Sequence, residues 1–231
     1  MKAVLLTQEE IKRESLELED ERFRHLVQVT RTKVGEEFLV LDGMGQRALA
    51  NILEINKRNC MISISQLSYL PCPHQLSLFV GCPKKDAVEE IIRRSVELGI
   101  KKIFFYDAKF STWSYVKNAR IDKIIESALI QSNNFWAPEI EVISTGDLSK
   151  VLAQHQRVLW LHLIGTGPVK KLDGHKIDLI CIGPEAGWAQ EECTEIQAAA
   201  NVEILQLATP ILRAEHAISV ASGYALALND I

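Results

Sequence analysis

The sequence predicts an α/β protein, a parallel sheet with helices on both faces, preceded by a smaller β-rich domain. Three observations predict it. From residue 76 onward, short continuous apolar runs alternate with segments of helical period, the pattern of a buried parallel sheet. Before residue 70 the apolar residues alternate with polar ones at the strand period of two. Between the two regions stands LPCPH (70–74), whose two prolines make it the clearest linker in the chain. The expected domains are therefore 1–69 and 74–231.

In the first domain, EDERFRHLVQVTR (19–31) reads as a helix with Phe23, Leu26, Val27 and Val29 on one face. FLVLDG (38–43) is a short strand ending in an Asp-Gly turn signal. RALANILEI (47–55) and NCMISIS (59–65) are further strands, and a small barrel or curled sheet would bury them. In the second domain, LSLFVGC (76–82) is a buried strand. DAVEEIIRRSVELG (86–99) is a helix with Asp86 in capping position and a stop at Gly99. KKIFFYD (101–107), EIEVIS (139–144), RVLWLHL (157–163), IDLICIG (177–183) and VEILQLA (202–208) are the other strands. The helices between and after them are 119–133, 147–155 (capped by Asp147), 189–200 and 213–228. Acidic residues open the 189–200 helix, where the helix dipole favours them.

Composition narrows the function classes. Apolar residues make up 47% of 231 residues, enough for a real core, and the net charge of −4 gives no whole-surface basic footprint for nucleic acid. Local basic clusters remain: Lys84/Lys85, Arg93/Arg94, Lys101/Lys102, and Arg22, Arg24 and Arg31. The five cysteines are odd in number and contain no C-x-x-C, so neither a disulfide framework nor a metal site is expected. Neither a signal peptide nor a membrane span is expected, and the chain reads as cytoplasmic.

Ligands of such sheets bind at the carboxyl ends of strands. The loop after the first strand of the second domain, GCPKKD, is no dinucleotide fingerprint, and the chain has no P-loop or nucleophile elbow. Gly165-Thr166-Gly167 follows a strand without a helix signal and reads as a surface loop. Two late loops are distinctive instead: IGPEAGW (182–188) and LATPILRAEHA (207–217). Two glycines bring backbone close to a flat ligand, and Pro184 stiffens the approach. An ordinary strand-to-helix turn is the competing reading.

IGPE with a following acidic helix, then a strand and ILRAEHA, resembles the RsmE family of ribosomal RNA methyltransferases, of the SPOUT class. RHL at 24–26, KKDAVEEIIRRSVELGI (84–100) and QSNNFWAP (131–138) are similar to further family elements. The resemblance implies a PUA-like RNA-binding β-barrel and a SPOUT-type parallel sheet with a trefoil knot. It implies S-adenosylmethionine as cofactor, no metal, a homodimer, and N3 of a uridine in small-subunit ribosomal RNA as target, free or in the subunit. It also implies site residues. Gly183, Pro184, Glu185, Ala186 and Gly187 form one cofactor loop, and Leu207, Ala208, Ile211 and Leu212 a second. Leu161 and His162 come from the remaining knot strand. Arg213 and Glu215 are the implied catalytic pair, and Lys84, Arg22, Arg24 and Gln131 the implied RNA contacts. Ala186 and Ala208 stand where the family has glycine, Asn134 where it has arginine, Ile130 where it has glutamate, and Phe110-Ser111 where it has Arg-Ser. Two alternatives stand beside this reading: a non-catalytic RNA-binding or ribosome-assembly protein of the same fold, and a methyltransferase acting on another RNA.

Overall fold

The computed structural model describes residues 2–163 and 175–229. Gly165-Thr166-Gly167 lies outside the described residues. The chain divides into two compact units, one of residues 1–73 with 122–137, the other of 74–121 with 138–231.

The first unit holds a five-stranded mixed sheet in the order β1-β3-β4-β5-β2 among the described residues: β1 (Ala3–Leu5), β2 (Ser15–Leu18), β3 (Glu37–Leu41), β4 (Gln46–Ile55) and β5 (Cys60–Tyr69). β1 lies parallel to β3, and the other pairs are antiparallel. No pairing among the described residues joins β1 to β2, so the sheet is an open half-barrel. Its concave face buries Leu18, Phe38, Val40, Ala50, Ile52 and Ile62, the residues that the period of two assigns to one side. The helix read over 19–31 is a single α turn, α1 (Glu21–Phe23), running into a π-helical turn over 24–29. Asp20 caps it by accepting from the Arg22 N–H. Helix α3 (Ala119–Ser132) lies mostly in this unit. The segment after it is bound to the half-barrel by Phe135 O and by the Ala137 N–H, which pair with Gly45 N and Gly43 O at 2.8 Å each.

Among the described residues, the second unit is built on a six-stranded parallel sheet in the order β11-β9-β10-β6-β7-β8. Its strands are β6 (Ser77–Gly81), β7 (Lys102–Tyr106), β8 (Glu139–Ile143), β9 (Val158–Leu161), β10 (Leu179–Ile182) and β11 (Val202–Leu205). Its helices are α2 (Lys85–Glu97), α4 (Leu148–Ala153), α5 (Gln190–Ala198) and α6 (Ala214–Asn229). α2 begins with Lys84 as its N-cap, so Asp86 sits inside the first turn rather than capping it. Asp147 is the N-cap of α4 but makes no side-chain cap; its carboxylate pairs with Lys150 instead. α6 buries Ala214, Ala217, Ile218, Ala221, Ser222 and Ala225, a stripe of mostly small side chains that brings the helix close to α2 and β10.

Strand order explains where a ligand site belongs. β6, β7 and β8 run outward in sequence; the chain then returns to the other side for β9, and β10 fills the place between β9 and β6. This is a topological switch point, and its carboxyl ends are the place for a ligand in an open α/β sheet. The amino ends are closed by a polar network. Buried Arg157 donates from Nε and Nη2 to both carboxylate oxygens of Glu203, at 2.8 and 3.1 Å, and from Nη1 to the His175 carbonyl. Asp178 accepts the backbone N–H groups of Gln156 and Arg157.

Candidate functional site

Register brings the late loops together. Leu161 of β9 is paired with Leu205 of β11, Trp160 of β9 with Cys181 of β10, and Ile182 of β10 with Val80 of β6. The segments beginning at His162, Gly183 and Gln206 therefore leave neighbouring parallel strands at the same end of the sheet. With Leu161 at the end of β9, these three segments hold the residues that the RsmE resemblance implies for the cofactor.

The 183–188 loop is shaped by packing. A Cβ on Gly183 would stand 2.9 Å from Trp188 Nε1, so only glycine lets the backbone pass under that indole. A Cβ on Gly81, at the end of β6, would run into the Pro184 ring and stand 2.9 Å from its nitrogen. Gly187 adopts φ +80° and donates its N–H to the Pro184 carbonyl at 2.8 Å, closing a tight turn. Glu185 is exposed, and its Oε1 accepts the Lys84 N–H at 3.1 Å, tying this loop to the start of α2. Ala186 is exposed, and nothing in its surroundings demands glycine. Beneath the loop, Trp188 stacks on Phe79, with centroids 6.2 Å apart and planes at 21°, and tilts against Tyr106 at 6.0 Å.

The loop's far end runs into α5. Glu192 is 6% exposed and accepts two backbone N–H groups, Ala189 N at 2.8 Å and Lys109 N at 2.9 Å. The Tyr106 phenol lies within electrostatic reach of the same carboxylate. Burial, then the negative charges of Glu192 and Glu195, push that phenol up to about 12. Sequence reasoning found the acidic start of α5 but not Trp188, Gly81, Tyr106 or the clamp at Glu192. The only signal for the clamp is a Glu at the third helical position, half of a capping box whose N-cap, Ala189, offers no acceptor in return.

Leu207 and Leu212 are half-buried, Ala208 is exposed, and Ile211 is 82% exposed. Leu161 and His162 are half-buried; His162 donates its N–H to Leu205 O at 3.2 Å, and its ring lies 4.4 Å from that of Trp160. Arg213 is exposed at the mouth of α6, where its carbonyl accepts the His216 and Ala217 N–H groups. Glu215, in the first turn of α6, is half-buried. The loop glycines, apolar Leu161, Leu207 and Leu212, and an exposed cation beside them suit a flat, uncharged heterocycle on a charged, solvent-facing chain.

The four assigned RNA contacts are scattered among different surroundings. Lys84 is exposed, at the N-cap of α2. Arg22 is held by Glu10 at 2.9 Å and Asp20 at 2.8 Å. The hydrogen bonds from Arg22 hold the Asp20 carboxyl below its usual range. Arg24 is exposed on the π-helical turn and Gln131 is exposed on α3. Among the described residues, no cluster of His, Cys, Asp and Glu could hold a metal ion, and no helix is long and apolar enough to cross a membrane.

The family model of the RNA methyltransferase domain matches residues 70–226. The chain belongs to that family. A second model, the RNA methyltransferase PUA domain, matches residues 18–65, so the half-barrel is PUA-like and the parallel sheet is of SPOUT type. The domain's relatives include the ribosomal RNA small subunit methyltransferase E of Synechocystis, 26% identical over 94% of this chain and 75% of that protein. The protein of the same description from Rickettsia conorii is 25% identical over 89% of this chain and 87% of its own length. In three dimensions the methyltransferase E of Neisseria gonorrhoeae, solved with bound S-adenosyl methionine, superposes with a TM-score of 0.80 over 99% of this chain and 98% of its own, at 20% identity. These relatives agree with the RsmE membership that the IGPE and ILRAE loops implied.

Proposed function

We propose that this protein transfers a methyl group from S-adenosylmethionine to ring nitrogen N3 of a uridine in small-subunit ribosomal RNA. The observation that carries the proposal is the convergence of the 162, 183–188 and 206–213 segments at one end of three adjacent parallel strands, within a chain of this family. The names of the relatives support ribosomal RNA as the substrate class, and the cofactor bound in the Neisseria structure supports its identity.

S-adenosylmethionine supplies an electrophilic methyl group on a sulfonium, so no metal is needed. The chain's own residues supply binding, orientation and proton handling. The backbone of Gly183–Gly187 and the half-buried Leu161, Leu207 and Leu212 would hold the adenosine half. Uridine N3 carries a proton at neutral pH and must lose it before or during attack. The Arg213 guanidinium, placed against the uracil oxygens, would stabilise the developing anion. The Glu215 carboxylate would accept the N3 proton, directly or through water. The target base must leave its stack to reach this end of the sheet. Lys84, Arg24 and the PUA-like unit would hold the surrounding RNA, with Gln131. A trefoil knot around the late strands and a homodimer in which two copies assemble one RNA surface belong to the same proposal.

The test is methyl transfer from labelled S-adenosylmethionine to small-subunit rRNA and to assembled subunits lacking the modification, followed by mapping of the modified base. A single N3-methyluridine is expected. Transfer to tRNA alone would move the target elsewhere, and binding of RNA with no transfer to any RNA would make the chain a non-catalytic RNA-binding protein.

A further inference from the structure

The clamp behind the 183–188 loop has a charge that packing alone does not require. Glu192 is a buried carboxylate whose hydrogen bonds among the described residues come from two backbone N–H groups, and the Tyr106 phenol feels its charge. Its neighbour Glu191 is the one that pairs with a cation, Lys109 Nζ, at 3.2 Å. Burying a carboxylate without an ion pair is costly unless hydrogen bonds replace its water. Here they do, and the two come from different parts of the frame: Ala189 follows the 183–188 loop and Lys109 lies beyond β7.

From this geometry we infer that Glu192 is a positioning residue, which fixes the far end of the cofactor loop and so sets cofactor affinity without touching the cofactor. The inference rests on the reading of 183–188 as a cofactor loop. The near end of that loop is fixed by shape: Gly81 against Pro184, and Gly183 under Trp188. Its middle is fixed by the turn at Gly187 and by the Glu185 bond to Lys84 N. Its far end has one polar tether in addition to the helix's own first bonds, Glu192 to Ala189 N. The same carboxylate joins Ala189 to Lys109, just past the carboxyl end of β7, which lies two strands from β10. Removing it would let the α5 start and Trp188 shift together, because Trp188 is the residue before Ala189 and packs on Phe79 and Tyr106. A loop that must order on binding binds more weakly by the cost of that ordering.

Glu192→Gln is the informative substitution. An amide has one acceptor oxygen where the carboxylate has two, so one of the two backbone N–H groups would face an NH2 donor instead. Glu192→Asp keeps the charge and both acceptor oxygens but is one methylene shorter, so it cannot reach both backbone N–H groups from the same backbone position. The measurements are calorimetric affinity for S-adenosylmethionine, and steady-state kcat and KM for each substrate, on the full chain. Melting temperatures verify that each variant is folded. For Glu192→Gln we expect cofactor Kd and KM to rise about 10-fold, the scale of a lost hydrogen bond to a charged group. The kcat at saturating cofactor and the KM for RNA should stay within about twofold. Glu192→Asp should raise the cofactor Kd by about three- to tenfold, in the same direction as Glu192→Gln. Equal cofactor affinity in wild type and Glu192→Gln would overturn the inference. So would a fall in kcat with cofactor affinity unchanged, which would mean a role in the chemical step. If Glu192→Gln does not fold, Glu192→Asp decides, and an unchanged cofactor affinity there overturns the inference. A wild type that binds no cofactor would instead remove the proposed function itself.

Discussion

At Gly183 the backbone has no room for a side chain on the side that meets Trp188. Gly183→Val would push the indole off Phe79 and Tyr106 or lift the loop. The expected result is loss of S-adenosylmethionine binding by at least about 10-fold, with a stability cost of about 1–3 kcal/mol from overpacking; titration calorimetry and thermal melting check the two parts separately. Arg213 is the opposite kind of residue. It is exposed and packs little, so Arg213→Ala should leave the melting temperature nearly unchanged. Its expected effect is on kcat, a fall of about 10²–10³, as for removal of one group that stabilises a developing anion. Single-turnover transfer to RNA, at saturating cofactor, reads that fall. A kcat unchanged by the substitution would exclude Arg213 from the reaction. Glycines, a proline and a carboxylate in one loop were legible as a shaped backbone because few other needs bring those residues together. Gly81 and Trp188 were not, since what makes them matter is a contact between residues about a hundred positions apart.

Elements were legible where periodicity was long. The strands of the parallel sheet appeared as apolar runs because both faces of such a sheet are covered. β1 and β2 were missed for a physical reason: each is short, and β2 alternates inside a stretch crowded with charge, where only its buried Leu16 and Leu18 mark a face. The 24–29 turn was read as part of a helix because a π turn uses the same residue types as an α turn. What no period reveals is the polar closure at the amino ends of the sheet. Arg157 and Glu203 join β9 to β11 across 46 residues of sequence. Glu203→Ala would leave the Arg157 guanidinium buried without its carboxylate, at a cost of about 3–5 kcal/mol, which urea unfolding would measure. The conservative replacement of both by apolar residues should cost far less.

At the scale of the whole molecule, stability should fall in acid for an identifiable reason. Burial pushes the Asp178 carboxyl up, but the hydrogen bond from His155 and those from the N–H groups of Gln156 and Arg157 outweigh it, and the net displacement is downward. A carboxylate held below its unfolded value, near 3.9, stabilises the fold above that value and stops doing so as pH falls through its folded one. Asp178→Ala should therefore be less stable than the wild type at pH 7, by about 1–3 kcal/mol. The difference should shrink below about pH 4. Melting curves across that range check the sign, and a gap that widened in acid would contradict it. Asp20, held down by its hydrogen bonds from Arg22, adds to the same acid dependence in the PUA-like unit. Association is a whole-molecule property too. Sedimentation should give about twice the 26.0 kDa of one chain if the proposed homodimer forms.

The return of residues 122–137 to the first unit bears on how such a chain is taken apart or recombined. A cut at the Pro71–Pro73 linker looks, on paper, like a clean seam between a PUA-like cassette and a methyltransferase one. It is not, because a fragment starting at His74 still carries Trp136, whose indole N–H donates to Leu70 O and whose ring meets Tyr69 edge-on at 5.9 Å. Those partners would be gone. Grafting this PUA-like unit onto another methyltransferase, or exchanging it between relatives, therefore calls for two junctions in the donor and two in the host. The chain would have to be engineered as one interleaved piece rather than as two separable segments.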